Sequence, residues 1–432
     1  MTFWLTALGI VVFAVSLTVS VAWHELGHLL PAKAFGVRVM RYFVGFGPTL
    51  FSRKFGDTEY GVKALPLGGF IRMAGMYSPV SSRRQPRWRW RATLEAEVRQ
   101  LSAEETETAG EQHTFYNLSA PRKAIIMLGG PTMNLILAVV LEAVVFSGIG
   151  AFSLPSLTLE DVSPCVSPTE GVVDCQSDGA VPSPAAAAGL QAGDKVVAWD
   201  GIEVDTWDAF REAVALTGGD TASATVERGG QQQVLQVTPA VIEVSDAAGE
   251  TQSAVVIGVT SQLERIRVPL GEVPGIIWAQ IAGAGKAYAR LPVSVWQTAR
   301  DTLGGQERDP SQSPMSIVGI ARLQGEATAD ASGGAQSDAW TERWASWLSI
   351  AAMLNLALWL FNLLPLLPLD GGHVAGAAVE GLRRTWARLR HRPLPGPLDL
   401  ARAIPVTYAV FIAIIIMTLV LVWADIVNPI PL

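Results

Sequence analysis

The sequence predicts a polytopic α-helical membrane protein: about four transmembrane helices, a re-entrant β segment between the first two, and a separate α+β domain outside the membrane. Three observations carry this. Charged residues make up only 16% of the 432 positions, against about 25% in soluble domains, and the depletion is concentrated. Residues 3–23, 124–141, 344–369 and 403–424 contain no Asp, Glu, Lys or Arg, and each approaches or exceeds the roughly 18–20 residues that cross a hydrocarbon core as a helix. The segments between these runs alternate in sign. Residues 29–123 hold 15 Lys/Arg against 8 Asp/Glu, 151–345 hold 11 against 25, and 370–402 hold 6 against 3. Basic short loops stay cytoplasmic, so both termini and residues 151–345 are expected outside the inner (plasma) membrane. The net charge of −7 is the sum of these opposite signs. It therefore says nothing about nucleic acid, which is not expected as a partner; the lipid bilayer is expected as one from the charge-free runs. Finally, the first run ends in His24-Glu25-Leu26-Gly27-His28, a metal-binding pattern set in apolar surroundings.

Taken in order, residues 1–36 form the first transmembrane helix. It is expected to be retained, because it lacks a basic n-region and an A-x-A cleavage site. Within residues 37–78, YGVKALPLGGFIRMAGM alternates and is punctuated by Gly and Pro, as short strands and turns are. It is too apolar for a solvated loop. Non-helical backbone is tolerated at membrane depth only against protein or a water-filled cavity, so a re-entrant sheet is preferred to a small cytoplasmic hairpin. Residues 79–120 are read as a mobile cytoplasmic loop, since 79–113 is charged and poor in aliphatic side chains. Residues 121–150 form the second transmembrane helix.

Residues 155–263 are expected to form the extracytoplasmic domain. DKVVAW reads as a strand, Asp200-Gly201 as a turn, TWDAFREAVAL as an amphipathic helix, and TASATVERGGQQQVLQV as a hairpin closed at Gly229-Gly230. The order SPAAAAGLQAGDKVVAWDGIEV…WDAFREAV resembles a bacterial PDZ domain, a fold that holds extended peptides by strand addition. Residues 264–343 contain amphipathic stretches expected to lie on the membrane surface, and a Gly/Ser-rich linker, ATADASGGAQSD. Residues 344–380 form the third transmembrane helix, interrupted by Pro365 and Pro368. Residues 381–402 make a basic cytoplasmic loop and 403–425 the fourth transmembrane helix.

On a helix, His24 and His28 lie one turn apart on one face, so both imidazoles can reach one Zn²⁺. Glu25 is then close enough to act on water without ligating the metal. The alternative is a pair of packed helix histidines, but two His and a Glu in an apolar helix are costly unless something satisfies them. A catalytic zinc takes three protein ligands and keeps an open position. Asp370, in FNLLPLLPLDGGHVAG, is the leading third ligand. By the charge argument the first and third spans run in the same direction, which brings HELGH and LDGG to comparable depth. His373 is the rival ligand, ranked lower because a carboxylate completes a two-His set. Glu142 sits in a span running the other way and falls at the wrong depth.

HELGH in the first span, NLLPLLPLDGG in the third and one PDZ-like domain between the second and third resemble the bacterial site-2 proteases of the regulator-of-sigma-factor type, which are membrane-embedded zinc metalloproteases. GGPTMN at 129–134 and PLGGFIRMAGM at 66–76 match the family's patterns too. The resemblance implies zinc held by His24, His28 and Asp370, with Glu25 as base. It implies hydrolysis within or near the transmembrane helix of single-span membrane proteins, often anti-sigma factors after a first cut elsewhere, in regulated intramembrane proteolysis. It also implies that Asn362 helps hold the substrate. Gly68, Gly69 and Asn134 are further substrate-binding candidates. The 66–76 strand could receive an unwound substrate by edge pairing, whereas a Gly-x-x-x-Asn face also serves close helix packing. One departure stands out: the second proline is Pro368, where the family pattern has one at 367.

Cys165 and Cys175 are the only cysteines. Both fall in the segment assigned outside, where a disulfide between them is favoured. Two other readings compete with an intramembrane protease. A non-catalytic membrane receptor could bind misfolded envelope proteins through its PDZ-like domain, but intact HELGH plus Asp370 argues against it. A membrane-anchored zincin acting outside the bilayer needs a third ligand in a soluble segment, and no convincing one is found.

Overall fold

The structure, a computed structural model, describes residues 2–78, 89–150, 152–166, 175, 181–245, 251–306, 308, 313–331 and 339–430. They form two compact units. One comes from residues 1–148, 269–331 and 340–432, the other mainly from residues 149–268.

The first unit opens with helix α1 (Thr2–Ala34). Strands β1 (Val39–Phe55) and β2 (Thr58–Met73) follow as an antiparallel pair. Tyr42, Phe43 and Val44 face Ile71, Phe70 and Gly69 on one side and Tyr60, Gly61 and Val62 on the other, so the two strands fold back into a small sheet. Among the described residues, no further strand pairs with it.

The loop expected over 79–120 is largely helical instead: α2 spans Arg89–Ala109. Its charges read as solvated in the sequence, but several are paired. Arg72 Nε donates to Glu105 Oε1 at 2.6 Å, and Arg99 Nη2 donates to both carboxylate oxygens of Asp399 at 2.8 and 2.7 Å. The helix is thereby tied to the sheet and to a segment 300 residues away. α3 (Ala120–Ala143) starts with a proline in its first turn and runs into a π-helical turn, Val144–Ile149.

The second unit contains β3 (Phe152–Val162), β4 (Cys165–Val166), β5 (Val181–Pro182), α4 (Pro184–Ala187), β6 (Lys195–Trp199), β7 (Ile202–Glu203) and α5 (Trp207–Leu216). It continues with β8 (Ala222–Arg228), β9 (Gln231–Val237), β10 (Ala240–Ser245), β11 (Thr251–Val256) and β12 (Val259–Ile266). The main sheet has the order β12-β3-β6-β8-β9, with β7 on β6. Each sequence signal has its local cause. Asp200 and Gly201 turn the chain at positive φ, and the Thr206 side chain caps α5 by accepting from Ala209 N–H at 3.2 Å. Trp199, Phe210, Val196, Val226 and Val237 fill the core, and Trp199 Nε1 donates to Thr217 Oγ1 at 2.9 Å. Cys165 and Cys175 form a disulfide with Cα atoms 5.6 Å apart; most of the segment between them lies outside the described residues. Entry and exit strands pair antiparallel from Phe152↔Ile266 to Val162↔Val259, so the two ends of the unit's chain lie side by side.

The chain returns to the first unit with α6 (Val273–Gly304) and α7 (Ile317–Asp330). Ser316 Oγ caps α7, accepting from Val318 and Gly319 N–H. Of the expected linker, residues 327–330 complete α7, and 332–338 lie outside the described residues. The third span, expected over 344–380, is two helices. α8 (Ala339–Asn362) stops at Asn362 and α9 (Asp370–Leu389) starts at Asp370, because the intervening Pro365 and Pro368 have no N–H to continue a helix. α10 (Ile404–Val427) is last. Among the described residues, four helices are long and apolar enough to cross a membrane: Thr2–Ala34, Ala120–Ile149, Ala339–Asn362 and Leu400–Val427.

In the second unit Asp194 is fully buried. Arg228 donates to it through Nε at 2.6 Å and Nη2 at 2.7 Å, and this guanidinium holds the Asp194 carboxyl below the usual carboxylate range. A depressed folded pKa contributes stability that is fully present above the unfolded value of about 3.9 and is lost as pH falls through the folded one. Arg228→Ala is therefore expected to lower the unfolding temperature of this unit at pH 7, with the gap to wild type closing as pH drops below about 3.9. Thermal unfolding across pH 2–7 checks this.

Candidate metal centre

α1 places His24 and His28 on one face, and α3 and α9 supply what surrounds them. His28 Nδ1 lies 2.8 Å from the Ile126 carbonyl of α3. A carbonyl can only accept, so the neutral ring carries its proton on Nδ1 and leaves the Nε2 lone pair free. The two Nε2 atoms are 3.2 Å apart. Asp370, at the first position of α9, puts Oδ2 3.2 Å from His24 Nε2 and 3.3 Å from His28 Nε2. Among the described residues, these three form the one cluster of His, Cys, Asp or Glu with ligand atoms close enough for a metal.

The donor set fits zinc. Ligands at about 2.0–2.1 Å in tetrahedral array lie roughly 3.3–3.4 Å from one another, close to the edges of this triangle. Asp370 Oδ2 is buried and accepts no hydrogen bond from any described group, so it is an oxygen aimed at a point it shares with two imidazoles. His373, the rival ligand, is buried on α9 with Nδ1 unpartnered among the described residues and stands outside the cluster.

Close approach of α3 depends on missing side chains. A Cβ on Gly27 would run into the Gly129 carbonyl, and one on Gly129 into the Gly27 carbonyl. A Cβ on Gly130 would meet His28 Nε2 directly, and His24 Cε1 at 2.8 Å. The third glycine of this set faces the candidate ligands themselves.

Glu25 is buried beside the cluster with its side chain against β2 at Gly69, and the Ile71 backbone amide acts on its carboxylate from the same strand. Gly69 allows the strand to lie this close, since its Cβ would come within 2.8 Å of Val21 Cγ1 and 3.1 Å of Glu25 Cγ. Gly68 precedes it at φ +123. Tyr42 Oη donates to the Ala22 carbonyl at 2.6 Å, fixing the sheet to α1. Asn362 is half-buried at the broken end of α8. Asn134 is fully buried, with Nδ2 3.2 Å from His24 Nδ1, so it lies against a candidate ligand and not on an open surface. The sequence reading missed the Ile126 carbonyl and the Ile71 amide. Both are backbone groups and carry no residue signature.

A sequence model of peptidase family M50 matches residues 12–394. The zinc metalloprotease Rip1 of Mycolicibacterium smegmatis is 33% identical over 443 residues, covering 98% of each chain. Zinc metalloprotease Rip1 of Mycobacterium tuberculosis is 34% identical over 441 residues, again with 98% of each chain covered.

Gly130→Ala is expected to push both imidazoles off the triangle, so that the purified protein loses most of its zinc by elemental analysis. Gly285→Ala, on α6 where a Cβ would meet nothing within 4 Å, leaves zinc content at the wild-type level.

Proposed function

Since the chain belongs to peptidase family M50, the site-2 proteases, and is a zinc-dependent intramembrane protease, we propose that His24, His28 and Asp370 hold its zinc and that Glu25 is its general base. The observation that carries this is the triangle of Nε2, Nε2 and Oδ2 with edges of 3.2–3.3 Å. Zinc in such a site supplies a Lewis acid that lowers the pKa of water to about 7.

The chain's own groups do the rest. The Ile126 carbonyl holds the His28 ring in the ligating tautomer. Glu25, next to the cluster, takes a proton from the attacking water as its oxygen bonds to the peptide carbonyl carbon. When the C–N bond breaks, the same carboxyl returns that proton to the leaving amine. A helix offers no free backbone groups, so a transmembrane substrate has to unwind before its peptide bond can be reached. The outer edge of Gly69–Met73, unpaired with any strand among the described residues, can take up the unwound segment by strand addition. Gly69, whose Cβ would come within 3.1 Å of Glu25 Cγ, links that edge to the base. Gly68, Gly69 and Asn362 are the residues assigned to substrate.

The proposed substrate is a single-span membrane protein, an anti-sigma factor after a first cut, in keeping with the family resemblance. The charge pattern supports both termini and the second unit lying outside, with the second unit acting as a PDZ-like gate that performs no chemistry.

Glu25→Gln keeps the side chain's size, so zinc content is expected to stay at the wild-type level while cleavage of a transmembrane substrate falls about 10²–10⁴-fold. Asp370→Ala removes a ligand and is expected to lose zinc and activity together. Full zinc in Asp370→Ala alongside loss in His373→Ala would overturn the choice of third ligand. A second prediction uses the pairing of the entry and exit strands. Excising residues 152–266 and joining the ends with a short Gly/Ser link should leave zinc binding and cleavage of a pre-trimmed substrate intact. Loss of all activity in a zinc-loaded deletion would contradict the gating role.

A further inference from the structure

His24 has a feature that zinc binding by the proposed ligand set does not explain. Its Nδ1 faces the carboxamide of Asn134, with Nδ2 at 3.2 Å, while Asn134 Oδ1 is buried and has no partner among the described residues. An amide N–H donated to Nδ1 makes Nδ1 the acceptor and puts the ring's proton on Nε2. That proton then sits inside the triangle, on the lone pair a metal needs. His28 has the opposite arrangement, because the Ile126 carbonyl enforces Nδ1–H. The two histidines are thus held by partners of different character, one that can only accept and one that can do either.

We propose that Asn134 is a positioning residue that sets the tautomer of His24 and so decides whether its Nε2 lone pair faces the metal site. A half-turn of the carboxamide about its last torsion exchanges Nδ2 and Oδ1. This torsion is broad and two-fold, and the exchange alters neither the volume nor the backbone. In the turned state Oδ1 accepts from His24 Nδ1–H, the unpartnered oxygen is satisfied, and Nε2 presents its lone pair to the cluster. With Nδ2 toward the ring the amide donates instead, and the His24 proton occupies the metal's side. Asn serves both states, whereas Asp can only accept and Leu can do neither. This role replaces the substrate contact considered for Asn134, which its full burial leaves without access to a substrate. It rests on the proposed ligand set.

The test measures zinc affinity in full-length detergent-purified protein by chelator competition, with the unfolding temperature of the zinc-free form measured in parallel. Four proteins are compared: wild type, Asn134→Leu, Asn134→Asp and Asp370→Ala. Loss of zinc from Asp370→Ala checks the ligand set independently of Asn134. If the proposal holds, Asn134→Leu binds zinc about 10–100-fold more weakly, the usual cost of losing a partner behind a ligand, while its zinc-free form unfolds near the wild-type temperature. Asn134→Asp then binds within a few-fold of wild type or more tightly. A packing role makes the opposite prediction, since Leu fills the space and a buried carboxylate disrupts it. Wild-type affinity in Asn134→Leu, equal weakening in Asn134→Asp, or loss of zinc in Asn134→Leu together with a destabilised zinc-free fold would each overturn the proposal.

Discussion

The separation between α1 and α3 governs the centre of the first unit. Gly27 faces Gly129 and Gly130 there, and a side chain at any of the three would collide with backbone or with a histidine ring. Because the helices touch at their backbones, the Ile126 carbonyl reaches His28 at 2.8 Å and the Asn134 amide reaches His24 at 3.2 Å. Trp23 Nε1 donates to the Met133 carbonyl at 2.9 Å in the same region. Between helices in a bilayer the hydrophobic effect supplies little driving force. Close packing of small residues and interhelical hydrogen bonds have to do that work. At this crossing the groups that associate the helices also orient the proposed ligands.

Buried charge pairs impose a second set of constraints, linking segments that composition alone leaves separate. Lys123 of α3 donates to Glu380 of α9 at 2.8 Å, and Glu380 Oε2 also accepts from Leu398 N–H at 3.1 Å. Arg308, fully buried as a side chain, pairs with Asp425 of α10 at 2.7 Å. The other oxygen of Asp425 accepts from Ser316 N–H, the residue that caps α7. Removing one partner of such a pair leaves an uncompensated buried charge and costs roughly 3–5 kcal/mol. These pairs hold α9, α10 and the α7 cap in place around the spans. Asp370 starts α9, so the Lys123–Glu380 pair also helps fix where the third proposed ligand arrives.

Placing a water-consuming reaction at the end of an apolar helix requires polar backbone nearby. The sheet supplies it. β2 lies against α1 where Gly69 removes the side chain, Tyr42 pins the sheet to the Ala22 carbonyl, and Phe43 stacks on Phe70 with ring centroids 5.6 Å apart. Non-helical backbone survives at membrane depth when it is covered by protein or lines a cavity, and for the re-entrant sheet expected from the sequence α1 would be one such cover. The broken end of the third span, between Asn362 and Asp370, adds a second stretch of non-helical backbone.

Much of this was legible in the sequence, where the information is local. Four charge-free runs mark the spans because a charge is expensive in hydrocarbon. His24 and His28 share a face because a helix turns every 3.6 residues. The strands, turn and helix between Lys195 and Val237 follow from alternation and from Asp-Gly and Gly-Gly turns. What only the tertiary structure decided depends on partners far apart in the chain. Nothing local shows that residues 89–109 are helical, because that helix is tied down by Arg99 meeting Asp399 and Glu105 meeting Arg72. The prolines marked a break in the third span, but its extent, from Asn362 to Asp370, appears only in the fold. The Ile126 carbonyl and the Ile71 amide are identical in kind to every other backbone group, and only the crossing of α1 with α3 and with β2 brings them to His28 and Glu25. Residue types and spacing name the candidates, but convergence is set by how closely the backbones pack, and no single segment contains that distance.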